Sequence, residues 1–580
     1  MIGNRRDQNK LLRALRAPDF QTARPGGPNP IARSGKWLVE SGKQEKSLCA
    51  ATIVPSRFKP PFTRKGKSPL FRLAPMRRRL AATFGQLAAL GLLLAFVVRL
   101  YPLPPRAWTE RESPPTVPPP KPFVMTAPTV RTLSNGLKVL VIERRGLPML
   151  TLRLVVKTGA EADPPDLAGT AQIVAGLLNE GTTHRTAFQI AETVDDAGGN
   201  VDNSAGWDES YLGLSVLADH AELAFDLVAD MVMHPAFAPS EVDRARRQMT
   251  SSLELLKGDP SYVADTVYDE LEFRGTAYGH PADGTVASAS RVSPPDLQWF
   301  HDRYYRPSNA ILAVVGDIAA EQAFALAEKF FAGWPEAPSP QPISALAPPS
   351  ESHREILIVD KPDAVQTEIR VGTAGVGRTS ADYEALMLAN QVLGGPAANR
   401  LFKALRTERG LTYGASSDLV CYRPLGTWEA KTSTRTAETM KTVETVLDEM
   451  NRLRSQPITG LELEYAKNYL VGHLALEFES SEGMADEVLD LMVHGLPWDY
   501  WNNFPEKIRG LTADQVSVTL ARYLDPGQAT IVLVGDVRGF GKELKKLGPA
   551  RVIPLQNLDL GSADFKAPGS PPALRREGSP

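Results

Sequence analysis

Short, unbroken apolar runs alternate with long stretches of helical spacing. Leu137–Glu143 follows the turn pair Asn135-Gly136, and Leu150–Val156 follows Pro148. Both runs read as strands. Later, Ile356–Val359 precedes Thr367–Val371, which predicts a second pair of strands. Ser240–Leu256, Ala381–Leu393 and Ala437–Leu453 place apolar residues three and four apart and predict helices. Strands mixed with helices in both halves of the chain predict an α+β architecture, built twice.

The same pattern exposes a duplication. Arg303-Tyr304-Tyr305-Arg306-Pro307 leads into Ala310–Val315 and then Gly316-Asp317. Arg522-Tyr523-Leu524-Asp525-Pro526 leads into Ala529–Val534 and then Gly535-Asp536. The offset is 219 residues, 522 minus 303. Two apolar strands can look alike by chance, but chance does not also align Arg, Tyr, Pro and Gly-Asp around them. The Pro-rich stretch 335–352 separates the halves.

The N-terminal region is different. Residues 1–79 hold 19 Lys/Arg against 4 Asp/Glu, so the remainder carries −17 of the overall −2. An acidic body does not fit a nucleic-acid binder, which shows a basic face. Residues 1–75 are read as a disordered basic tail or as an extension upstream of a start at Met76, and the layout favours the second. Arg77-Arg78-Arg79 precedes the apolar run Leu80–Val98, which has the length and flanks of a membrane anchor or signal segment. With the arginines inside, the body is expected outside the cytoplasm, which is the periplasm if the source is bacterial. Residues 99–128 form a Pro-rich linker, and residues 546–580 read as a polar tail. Of the two cysteines, Cys49 lies in a segment not expected to fold, so no bridge to Cys421 is expected.

The order of motifs in the body resembles a known family. The Asn-Gly hairpin is followed by Val156-Lys157-Thr158-Gly159-Ala160-Glu161-Ala162-Asp163 and by Leu167-Ala168-Gly169. An apolar helix then ends in Glu180-Gly181-Thr182. Ala197-Gly198-Gly199-Asn200 and Trp207-Asp208-Glu209-Ser210-Tyr211 come next. In the second half, Leu393-Gly394-Gly395, Asn399-Arg400-Leu401-Phe402 and Leu405–Tyr413 follow in order. Over about residues 130–540 this is similar to the pitrilysin/insulinase zinc peptidases, which include the mitochondrial processing peptidases. The resemblance implies two repeated α/β-sandwich domains, 129–334 and 353–545, forming a clam-shell.

In that family the helix before Gly-Thr carries His-x-x-Glu-His. Histidines four apart reach one zinc ion from one helix face, and the glutamate acts as general base on the zinc-bound water. Counting back from Gly181-Thr182, the first histidine position is Gln172, the glutamate position Ala175 and the second histidine position Gly176. A later helix supplies the third ligand. Its matching positions are Ser252 or Leu253, with Glu254 out of register. The eight histidines are scattered, no two within five residues, and all read as surface or structural. No metal and no catalytic residue is therefore expected in this chain.

The second half keeps Arg406 and Tyr413. The resemblance implies that residues at these positions bind substrate and stabilise a developing oxyanion, and guanidinium and phenol are suitable donors. Arg409 is a second candidate with a poorer spacing. The expectation is a non-catalytic, extracytoplasmic subunit that supplies this pair to a zinc-bearing homologue of the same fold. Peptide is the substrate, the membrane is reached through the N-terminal segment, and zinc sits only in the partner. The alternative is a structural or peptide-binding scaffold with no peptidase role.

Overall fold

The computed structural model describes residues 124–338, 340, 354–396, 399–569 and 574–576. The basic extension, the apolar run 80–98 with most of the linker after it, Cys49 and most of the Pro-rich stretch 335–352 lie outside the described residues.

The first half supplies strands β1 (Thr129–Thr132), β2 (Lys138–Glu143), β3 (Met149–Val156), β4 (Asn200–Ala205), β5 (Ser210–Leu217) and β6 (Ala310–Gly316). Its helices are α1 (Thr170–Leu177), α2 (Ala187–Asp196), α3 (Ala221–Met233), α4 (Pro239–Leu256), α5 (Pro260–Glu272), α6 (Val286–Arg291), α7 (Pro294–Tyr304) and α8 (Ala320–Phe331). The second half supplies β7 (Glu355–Asp360), β8 (Gln366–Ala374), β9 (Ala415–Cys421), β10 (Gly426–Arg435), β11 (Thr530–Gly535), β12 (Ala550–Pro554) and β13 (Leu574–Arg576). Its helices are α9 (Tyr383–Gly394), α10 (Arg400–Phe402), α11 (Thr439–Ser455), α12 (Gly460–Glu477), α13 (Ser481–Val493), α14 (Tyr500–Gly510) and α15 (Ala513–Tyr523).

The two sheets repeat one another. The first runs β1-β2-β6-β3-β5-β4 and the second β13-β12-β7-β11-β8-β10-β9. In each, a parallel pair (β2 with β6, β7 with β11) is followed by antiparallel neighbours in the same order. The strands 310–316 and 530–535 thus hold equivalent places, as the 219-residue offset predicts. The molecule is a two-domain α+β fold.

Each sheet is covered on one face by a helix of the other half. In sheet one, Val139, Val141, Leu152, Leu312 and Val314 face a core built from first-half helices. The alternate residues Leu140, Ile142, Ile311, Ala313 and Val315 join the core of the second half, where α13 packs on β3 and β6. Sheet two is reciprocal. Leu357, Val359, Val532 and Val534 are covered by Val263, Ala264, Val267 and Tyr268 of α5. Burial on both faces explains why β6 and β11 read as continuous apolar runs rather than alternating ones.

The segment after residue 546 corrects the sequence reading. It was expected as a polar tail, yet β12 pairs in parallel with β7 and β13 pairs with β12. Ile553, Leu558 and Phe565 close the core under α5. Gly548, Pro549, Gly561, Pro568 and Gly569 lie in the turns around a short strand, where composition hides the few buried apolar residues.

Candidate functional site

Helix α1 stands where the resemblance places the zinc helix. Its start is fixed by Asp163, whose carboxylate accepts from the N–H groups of Gly169 (2.6 Å) and Ala171 (2.8 Å). Burial pushes that carboxyl up to about 7, against the backbone donors that oppose the shift. Gly169 adopts φ +92, and a Cβ there would lie 2.9 Å from the carbonyl oxygen of Asp283, so only glycine fits this entry. Ile173, Val174 and Leu177 are buried, and α1 packs against β4, β5, α4 and α7.

The three positions that the resemblance aligns with the zinc motif hold other groups. Gln172 Oε1 accepts from Ala205 N (3.0 Å) and Ser204 Oγ (3.3 Å), which staples α1 to the edge strand β4. Ala175 is fully buried. Gly176 borders open space, with nothing within 4 Å of an added Cβ. On α4, which packs on α1, Leu253 is buried and Glu254 is exposed. These residues do not fit zinc. The one side-chain oxygen is engaged by β4, and the other two positions carry no donor. Among the described residues, no three His, Cys, Asp or Glu side chains converge on one point.

Arg406 lies in a π-helical turn, Lys403–Thr407, that continues α10. Its guanidinium stacks 5.0 Å from the ring of Phe402 and 4.6 Å from that of Tyr413. Tyr413 is 84% exposed. The structure therefore brings Arg406 and Tyr413 together on the surface. Arg406 is exposed, and a guanidinium lying against aromatic rings keeps five N–H donors to offer. Arg409 instead turns inward to the carbonyl oxygen of Ala404 (2.9 Å) and towards Glu408. Among the described residues, no hydrogen bond, ion pair or ring contact joins the Arg406–Tyr413 pair to α1.

Sequence reasoning missed the polar junction between the halves. Asp208, in the β4–β5 turn, accepts from the Tyr278 hydroxyl (2.6 Å) and from the N–H of Arg423 (2.8 Å) in the β9–β10 turn. His494, at the end of α13, places Nε2 3.6 Å from Asp208 and Nδ1 3.3 Å from Asp490. Burial opposes charge on His494, but these carboxylates push it up to about 9. Glu161 is pushed up to about 8 by burial and by the Asp208 charge. No local pattern marks the link across the halves, because Arg423 and His494 lie more than 200 positions from Asp208.

A duplicated α+β body with a helix in the zinc position is that of a metallopeptidase homologue. Residues 138–283 match the family described as Insulinase (Peptidase family M16), and residues 291–470 match Peptidase M16 inactive domain. Together they span more than half of the chain, which belongs to this insulinase family. An uncharacterized zinc protease of Mycobacterium leprae is 29% identical over 364 residues, covering 60% of this chain and 79% of its own length. Uncharacterized zinc protease YmxG of Bacillus subtilis is 26% identical, covering 60% of this chain and 84% of its own. The crystal structure of a peptidase M16 inactive domain from Pseudomonas fluorescens superposes with a TM-score of 0.66. It is 28% identical and covers 71% of this chain and 98% of its own.

Proposed function

We propose that this chain is the non-catalytic subunit of an extracytoplasmic zinc metallopeptidase, contributing Arg406 and Tyr413 to a zinc-bearing partner of the same fold. One observation carries the reading. The helix in the zinc position is intact as a packing element, yet its ligand positions are a β4 staple (Gln172), a core methyl (Ala175) and a bare backbone (Gly176). The substrate-side pair, by contrast, remains assembled and exposed. Stacked Arg406 and the Tyr413 hydroxyl offer donors to a peptide carbonyl or to an oxyanion forming on it.

The apolar run Leu80–Val98 behind three arginines supports a membrane-held body outside the cytoplasm. A reporter fused after residue 130 is active only outside the cytoplasm on this reading, and activity confined to the cytoplasm contradicts it. The subunit reading is tested with the purified chain alone and mixed with a zinc-bearing family member from the same cell. Hydrolysis of peptides should require both. A partner that cleaves equally well alone overturns the subunit role and leaves a scaffold.

A further inference from the structure

Two histidines that the sequence shows as isolated meet in the fold. His184 and His234 lie 50 positions apart, 234 minus 184, and their ring centroids are 5.0 Å apart at an interplanar angle of 89°. Backbone contacts hold both in place. Thr183 N donates to His234 O (2.9 Å), and Thr182 forms an antiparallel bridge with Pro235.

His184 Nδ1 meets Asp230 Oδ1 at 2.6 Å, which orients the ring and leaves Nε2 as its free nitrogen. A carboxylate behind one ring nitrogen is the usual companion of a metal-ligating histidine, because it fixes the tautomer and raises basicity at the other nitrogen. Asp230 is itself held by Thr182 Oγ1 (2.9 Å) and Arg185 Nη1 (2.6 Å), and Arg185 also reaches Asp226. Arg185 against Asp226 and Asp230 leaves one net negative charge beside the two rings. The rings line a concavity of about 290 Å³ walled by Met233 and Phe330.

Two imidazoles bound side by side on one ion, each ring centre roughly 3.2 Å from the metal, bring their centroids about 5 Å apart. We propose that His184 and His234 form a two-histidine site for a borderline divalent cation of the Zn(II), Ni(II) and Cu(II) class. Asp230 acts as the positioning carboxylate, and water fills the remaining places. Imidazole pairs select these ions over the oxygen-seeking Mg(II) and Ca(II). With two protein ligands the ion exchanges readily and is lost to a chelator. The proposed subunit role makes no use of these residues, so the site stands or falls apart from it.

Untagged full-length chain, stripped with chelator, is titrated with Zn(II) by calorimetry and with Co(II) by visible absorption. One saturable site per chain is expected. His184→Gln and His234→Gln should each weaken it by at least about tenfold, since loss of an outer-shell carboxylate alone costs about 10–100-fold. Thermal melts of the stripped variants control for folding, and His220→Gln should bind as the parent does. Absence of saturable binding, or affinity equal to the parent's in folded His184→Gln or His234→Gln, overturns the proposal.

Discussion

Arg153 of β3 places Nε 2.5 Å from Oδ1 of Asp486 on α13, a helix of the opposite half. The same relationship occurs a second time. Arg370 of β8 places Nε 2.6 Å from Oδ1 of Asp265 on α5. Each pair joins the central antiparallel strand of one sheet to the helix lent by the other half, so the duplication extends to its buried charges. Both arginines are buried, and both keep their charge more firmly than a free guanidinium because the opposing carboxylates outweigh burial.

Breaking either pair should loosen the exchange of helices. Removing one partner of a buried ion pair costs about 3–5 kcal/mol. The carboxylates left behind, Asp486 and Asp265, are 49% and 39% exposed and can regain water, so Arg153→Met and Arg370→Met should each cost less than that, about 1–3 kcal/mol. Urea denaturation of the two variants measures this. A loss well under about 1 kcal/mol would show that the pairs do not hold the halves together.

Alkaline pH should weaken the junction. His494 sits at about 9, above its ordinary 6.5, so its contribution is complete below 6.5 and is lost as pH rises towards 9. The loss is on the order of 3 kcal/mol. Glu161, at about 8 rather than 4.5, acts in the same direction, its contribution fading from pH 4.5 to 8. Stability measured by denaturation should fall between pH 6.5 and 9, and His494→Gln should flatten the slope. An unchanged slope in that variant would place the titration elsewhere.

The three positions aligned with the zinc motif should behave as structural residues. Gly176 sits inside a helix beside open space, so Gly176→Ala should stabilise the chain by about 0.5–1 kcal/mol. Gln172→Ala removes two hydrogen bonds to β4 and should cost about 1–2 kcal/mol. Ala175→Glu, the change that would restore a general base, forces a carboxylate into a fully buried position and should destabilise by several kcal/mol. Thermal melts rank the three. An Ala175→Glu variant as stable as the parent would mean that the catalytic position is still open.

The strands and long helices were legible because burial on both faces leaves unbroken apolar runs, as in Ala310–Gly316, and because amphipathic periods mark Pro239–Leu256. The exchange of α5 and α13 was not legible. Hydrophobic spacing shows that a helix has a buried face, not which sheet covers it. Arg153 within an otherwise apolar strand was the available hint of a long-range charge partner. The C-terminal segment was misread because β12 is short and flanked by turn residues. At the candidate site, Gln172, Ala175 and Gly176, counted back from Gly181-Thr182, and the pair Arg406 and Tyr413 were named only through the family resemblance, not from any local pattern. The meeting of His184 with His234 depends on the bridge between Thr182 and Pro235, which no local pattern encodes.

The central claim is that this chain completes a partner's site through Arg406 and Tyr413. The direct measurement is turnover by the zinc-bearing partner mixed with the parent chain, with Arg406→Ala, and with Tyr413→Phe. Assembly and partner zinc content are checked in parallel. Losing one oxyanion-type donor costs about 10²–10³ in turnover. The account predicts a fall of that size for each variant, with complex formation and zinc intact. Turnover unchanged by both substitutions, in complexes that still form, would contradict it.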